Sequence, residues 1–110
     1  MILIFGGAYQ GKYNYAKEHF GSEKKIINNV DKWILEIIKE EKDITKEIDC
    51  FLKDNQDSVL ICTDISCGVV PIDPVMRRWR EETGRFMVKA ESQSDEVIRL
   101  FCGIAMKIKS

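Results

Sequence analysis

Apolar positions follow two rhythms along this chain, and the switching between them predicts how the fold is laid out. "MILIF" at residues 1–5 is an unbroken apolar run and "SVLICT" at residues 58–63 is another buried-strand run, the pattern of strands buried on both faces of a sheet. "KKIINNV" is a shorter candidate strand, and "EVIRLFCG" with "AMKIK" reads as a final strand and a short extension separated by Gly103. Between these runs the period lengthens to that of a helix. A first helix is expected from about Gly11 to Phe20, with Tyr13, Ala16 and Phe20 on a shared face and Gly21 as the C′ residue that stops it. A second, N-capped by Asp31, carries Trp33, Ile34, Ile37 and Ile38; a third, capped by Asp43, carries Ile44, Ile48, Phe51 and Leu52. The fourth starts with Asp73 as N-cap and Pro74 at its first position. Val75, Trp79, Phe86 and Ala90 form its expected buried stripe, and Gly84 is a point where it bends or breaks.

Strands alternating with helices predict an α/β protein with a mostly parallel sheet and helices on both faces. Residues 1–110 read as one domain, with no internal repeat, low-complexity tract or linker. A composition of 45% apolar and 32% charged residues is that of a globular chain. The net charge of −1 is spread along the sequence, leaving no electrostatic footprint for nucleic acid. No apolar run approaches the roughly 20 residues that span a bilayer, and "MILIF" lacks the features of a signal peptide, so no membrane role and a cytoplasmic location are expected. Cys50, Cys62, Cys67 and Cys102 form no C-x-x-C pair, and reduced thiols acting as small apolar residues are the expected state.

The chemistry concentrates in "GGAYQGKYNYA", residues 6–16, where Gly6, Gly11 and Lys12 fit G-x-x-x-x-G-K between a strand and a helix. In such a P-loop the glycines let backbone N–H groups curl around a phosphate, the Lys reaches its outer oxygens, and the helix N-terminus adds partial positive charge. Gly6, Gly7, Ala8, Tyr9, Gln10, Gly11, Lys12 and Tyr13 are therefore the candidate nucleotide-binding residues, with ATP or GTP as ligand. A purely structural glycine turn is the competing reading, weakened by Lys12, a cation at a helix start where the dipole disfavours it. Tyr13 stands where Ser or Thr normally ligates magnesium, and its phenolic oxygen lies several bonds too far out to replace that hydroxyl. Asp31 and Asp64 are the candidate magnesium residues, and Lys12 and Asp64 the candidate catalytic pair; helix capping for Asp31 and plain solvation for Asp64 remain alternatives. Arg77, Arg78 and Arg80 fall within one helical turn and fit a solvated face better than phosphate or base contact, and His19 reads as structural.

Beyond the loop, the chain resembles the bifunctional adenosylcobinamide kinase / adenosylcobinamide-phosphate guanylyltransferase family. Gly68-Val69-Val70-Pro71, the Arg77-Arg78-x-Arg80 run, Gly84-Arg85, Asp95-Glu96-Val97 and the closing Gly103-Ile104 with Lys107 and Lys109 carry the likeness. "GGAYQGKY" is similar to the family's "GGxxSGKS" loop, and "VDKWILEII" places Asp31 at its acidic position. The resemblance implies a shortened P-loop NTPase-like three-layer fold and ATP- or GTP-dependent phosphorylation of cobinamide with Mg²⁺. This chain departs from the pattern in several places. The section that would hold the GMP-accepting histidine is missing, so guanylyl transfer is expected to be lost. Gln10 and Tyr13 replace the loop's Ser pair, Thr63, Asp64 and Ser66 stand at "NEVG", and Met87-Val88 at Asn-Gln. Two readings follow: a reduced cobinamide kinase, or a catalytically inactive nucleotide-binding or structural paralogue that works through a protein partner. Shortening would expose surfaces that the missing element covers, so a homo-oligomer is also expected.

Overall fold

The computed structural model describes residues 1–7, 11–65 and 73–109. In chain order they form β1 (Ile2–Gly6), α1 (Lys12–Phe20), β2 (Lys25–Ile27), α2 (Val30–Lys39), α3 (Ile44–Asp54), β3 (Ser58–Thr63), α4 (Pro74–Gln93), β4 (Glu96–Phe101) and β5 (Ile104–Lys109). One five-stranded sheet has the order β2-β3-β1-β4-β5. Its first four strands are parallel, and β5 returns antiparallel along β4. The architecture is α/β, consistent with a shortened P-loop NTPase-like fold.

The two buried-strand runs occupy the middle of this sheet because only central strands are covered on both faces. Ile2, Ile4, Val59, Ile61 and Ile98 face α1, packing with Ala16 and against Tyr15 and Phe20. Leu3, Leu60, Cys62 and Val97 face the other way, onto Val30, Ile34, Ile37 and Ile38 of α2, Ile44, Ile48 and Leu52 of α3, and Phe86 and Ala90 of α4. Burying a side chain of this size contributes about 1.5–3 kcal/mol. Period-2 alternation in the strands and period-3.6 stripes in the helices thus build two cores back to back.

Local chemistry sets the helix boundaries, in places differently from the sequence expectation. Asp43 caps α3 by accepting from the Lys46 N–H at 3.2 Å. Asp73 caps α4 by accepting from the Val75 N–H at 2.8 Å. Asp31, in contrast, is not an N-cap. The left-handed Asn29 (φ 57°) precedes α2, and Asp31 is that helix's second residue, buried and free of capping duty. Gly21 does not close α1 as a left-handed C′ residue, since its φ is −63° and its amide bonds the Lys17 carbonyl in the right-handed region. Tyr13 leaves the expected helix face for solvent, and α1 buries Lys12 and Ala16 instead. Val75 is also exposed, being in the first turn of α4 ahead of the point where the helix meets the sheet, and Thr83 joins the buried stripe. The helix runs through Gly84 without a break.

Two glycines answer backbone demands at the sheet's carboxyl edge. A Cβ on Gly6 would sit 2.3 Å from the Leu100 carbonyl oxygen of the neighbouring strand, so β1 and β4 can close here only around glycine. Gly11, at the threshold of α1, has φ 78°, a conformation that favours glycine. The expected short extension after Gly103 is a full strand, β5, joined by the two-residue turn Cys102-Gly103 with φ of 50° and 77°. Paired positive φ values match the right-handed strand twist of a tight hairpin. Among the described residues no helix is long and apolar enough to cross a membrane.

Candidate functional site

Parallel strands point their carboxyl ends toward the starts of the helices that follow, so residues just past β1, β2 and β3 gather at one sheet edge. There the structure holds a cleft of about 460 Å³. Gly11, Lys12, Tyr13 and Asn14 line it from the start of α1, Asn28, Asn29, Asp31 and Lys32 from the start of α2, Thr63 and Ile65 from the end of β3, and Trp79 from α4.

Lys12 is the first residue of α1, and it is buried. Its Nζ donates to the Gly7 carbonyl at 2.6 Å. Desolvation lowers the Lys12 pKa below the usual lysine value, and the nearby Asp31 carboxylate partly opposes that shift. Asp31 is fixed from two directions. Its Oδ1 accepts the Thr63 N–H at 3.2 Å, and its backbone carbonyl accepts the Trp79 indole N–H at 2.7 Å. Three elements, α2, β3 and α4, are thereby tied at one acidic residue. Beneath it, burial and then the Asp31 and Asp64 carboxylates push the Cys62 thiol far above its ordinary range, so it stays neutral and unreactive.

The two predicted carboxylates are separated. Asp64 extends the β3–β1 ladder by donating its N–H to the Gly6 carbonyl at 2.8 Å. Asp64 lines a second cavity, of about 200 Å³, with Phe5, Thr83, Gly84, Met87 and Glu91. Strand alternation explains the split: consecutive residues at a strand end face opposite ways, so Thr63 falls to the Lys12 cleft and Asp64 to the cavity beside α4. Arg77 and Arg78 are exposed and Arg80 half-buried on the first turns of α4, and none of the three lines the cleft. His19 lies in the last turn of α1, stacked on Tyr15 at 4.0 Å with its Nδ1 3.0 Å from the Tyr15 carbonyl. Ala8, Tyr9 and Gln10 of the loop lie outside the described residues, as do Ser66, Cys67 and Gly68-Val69-Val70-Pro71.

A cation at a helix start suits an anion, and a carboxylate in the same cleft offers oxygen to a hard cation. Magnesium keeps several waters and needs only one or two protein carboxylates when phosphate supplies further oxygens, so Asp31 fits that demand. Tyr13, exposed on the cleft wall, supplies no short hydroxyl. Sequence reasoning did not place Asn28, Asn29, Thr63 or Trp79 in the site. Asn28 and Asn29 carried a signal, since they directly follow a strand that ends at the carboxyl edge; the Trp79 bond to Asp31 bridges 48 positions and has no local signature.

A family model described as cobinamide kinase / cobinamide phosphate guanyltransferase matches residues 22–108. The matched span contains Asp31, Thr63, Asp64 and Trp79 and starts beyond Lys12. Comparison with curated proteins gives no match.

Proposed function

The chain belongs to the cobinamide kinase / cobinamide phosphate guanyltransferase family, and from that membership we propose that it binds ATP or GTP in the Lys12 cleft and phosphorylates the alcohol of a cobinamide. One observation supports this most: a buried lysine at a helix start, its ammonium bonded to the Gly7 carbonyl, shares a cleft with a buried carboxylate. In the proposed reaction the acceptor hydroxyl oxygen forms a bond to the γ-phosphorus. The bond to the β–γ bridging oxygen breaks, the nucleoside diphosphate leaves, and the hydroxyl proton passes to Asp64 or water. Lys12 and the loop amides hold the charge that builds on the phosphoryl oxygens. Asp31 would hold magnesium, which when bound neutralises phosphate charge. An acceptor-side role for Asp64 is supported by its place directly after Thr63, which lines the Lys12 cleft, while Asp64 itself lines a separate cavity. Guanylyl transfer is not part of the proposal, because His19 is the sole histidine and lies at the far end of α1 from Lys12.

Tyr13 favours a second reading, in which the chain binds nucleotide without phosphoryl transfer and acts through a protein partner. Calorimetric titration with ATP and GTP, with and without magnesium, followed by transfer of labelled γ-phosphate to cobinamide, separates the two. The kinase reading expects magnesium-dependent binding and labelled cobinamide phosphate. Binding indifferent to magnesium, with no labelled product, would favour the second reading. Failure of either nucleotide to bind would overturn both.

A further inference from the structure

At the opposite side of the sheet from β2, the hairpin of β4 and β5 leaves Phe101, Ile104, Met106 and Ile108 between 47% and 65% exposed. The register sets Phe101 opposite Ile104 and Arg99 opposite Met106, so Phe101, Ile104 and Met106 share one face. Strand β5 ends the sheet, and its outer backbone groups meet no further strand among the described residues. Edges of this kind are usually guarded by lysines reaching into solvent. Here both lysines turn back on their own chain: Lys107 pairs with Glu96 at 2.9 Å, and Lys109 donates to the Glu91 carbonyl at 2.9 Å. An apolar row beside an open edge whose lysine heads are engaged by their own chain is a template for another strand.

We propose that β5 pairs antiparallel with β5 of a second copy about a twofold axis at Met106, fusing two sheets into one. The register follows from hydrogen-bond geometry and charge. Because the Cys102-Gly103 turn closes on the hydrogen-bonded pair Phe101–Ile104, the alternate residues Ala105 and Lys107 direct their N–H and C=O outward. A twofold pair must align outward residues with outward residues, which leaves axes at Ala105, Met106 or Lys107. An axis at Lys107 sets two ammonium groups face to face, and an axis at Ala105 spends half the contact on the turn. The Met106 axis pairs Ala105 with Lys107 twice, puts Met106 against Met106 in the closely spaced non-hydrogen-bonded position, and opposes Ile104 to Ile108. Lysine then meets no lysine directly. Such a surface is self-complementary, which is what an isologous dimer requires, and the register of β5 with β4 is regular from Ile104 to Lys107, the shift falling at Ile108.

Sedimentation velocity of the full chain across the micromolar range tests this. A concentration-dependent species of twice the monomer mass is expected, and it should be lost in Met106→Asp, whose two carboxylates would face each other. Met106 is an exposed edge residue, and an unchanged circular dichroism spectrum shows that the variant folds. In a Cys50→Ser, Cys67→Ser, Cys102→Asn background, Met106→Cys should form a disulfide dimer with copper phenanthroline and dissolved oxygen, because the Cα spacing of about 4.5 Å in such a pair suits a disulfide. Val88→Cys, exposed on α4, should not. A monomer at every concentration, an assembly larger than two, a dimer that survives Met106→Asp, or equal cross-linking at positions 88 and 106 would each overturn the proposal.

Discussion

Replacing Lys12 by Met separates what this residue does for folding from what it does for a ligand. On the folding side the effects oppose one another. Loss of the ammonium removes a cation that burial disfavours, as its depressed pKa records. Against this, the Gly7 carbonyl loses a donor, worth about 1 kcal/mol, and Asp31 loses an attractive neighbour. Met nearly conserves the side-chain volume, so no large cavity opens. The net change should stay within about 1 kcal/mol, a melting shift of no more than about 5 °C for a chain of this size. Binding has no such compensation. A hydrogen bond to a charged partner contributes about 1.5–3 kcal/mol, so nucleotide affinity should fall about 10- to 150-fold. Circular dichroism melting and calorimetric titration with ATP and GTP read the two effects separately. A folded variant with undiminished affinity would refute phosphate contact by Lys12, and a large melting loss would show the lysine to be structural. The pH dependence adds a further check. Since burial depresses the folded-state pKa, the unfolded chain holds the proton up to a higher pH, and Lys12 contributes stability that rises with pH between the two values. A bound phosphate prefers the ammonium, so affinity in the wild type should fall as pH climbs through the depressed value, and this limb should be missing in Lys12→Met.

Gly6→Ala should cost about 1–3 kcal/mol, since its Cβ would press on the Leu100 carbonyl at 2.3 Å and neither backbone can yield cheaply; denaturant melts in which the variant matches wild type would show that β1 and β4 can part without cost. Tyr13→Ser should leave stability within about 0.5 kcal/mol because Tyr13 is exposed. In titrations the same variant should make magnesium tighten nucleotide binding about tenfold more than in wild type, and no gain would mean that position 13 does not reach the metal. Thr83→Val removes a buried hydroxyl without a partner and should raise the melting temperature by about 4 °C, whereas a lower one would reveal a water bound in the cavity beside it.

The elements were legible wherever burial is two-sided or strictly periodic. "MILIF" and the "VLIC" of "SVLICT" read as central strands, because four or five consecutive apolar residues in an extended chain need cover on both faces. Helix starts were harder where two good cappers stood close together. Asn29 and Asp31 both suit an N-cap, and the choice was decided by Asn29 adopting a left-handed conformation that no composition rule reveals. That outcome matters to function, because Asp31, spared from capping, enters the cleft with its carboxylate on Thr63. Tyr13 was placed on a shared helix face with Ala16 and Phe20, but Lys12 took the inward position, with its ammonium held by the Gly7 carbonyl. The separation of Asp31 from Asp64 depends on which residue of β3 is the last to pair, a one-residue matter beyond any periodicity.

The motif's glycines and its lysine carry different weight as signs of phosphate binding. Gly6 is demanded by the backbone of β4 and Gly11 by its own left-handed turn, so both would be required in a molecule that never met a nucleotide. Lys12 has no comparable structural reason. Folding gains little from a desolvated cation at the positive end of a helix, and a phosphate would turn that liability into an attraction. The family match, spanning residues 22–108, owes nothing to this loop and instead covers α2, β3, α4 and the final hairpin. Asp31 belongs to both lines: it lies within the matched span and lines the Lys12 cleft, where the two residues interact. Tyr13, exposed and unneeded by the core, can change without penalty to the fold. In the proposed reading phosphate capture and metal placement are separable: Lys12 is assigned the first and Asp31 the second, and Tyr13→Ser tests whether only the second has weakened.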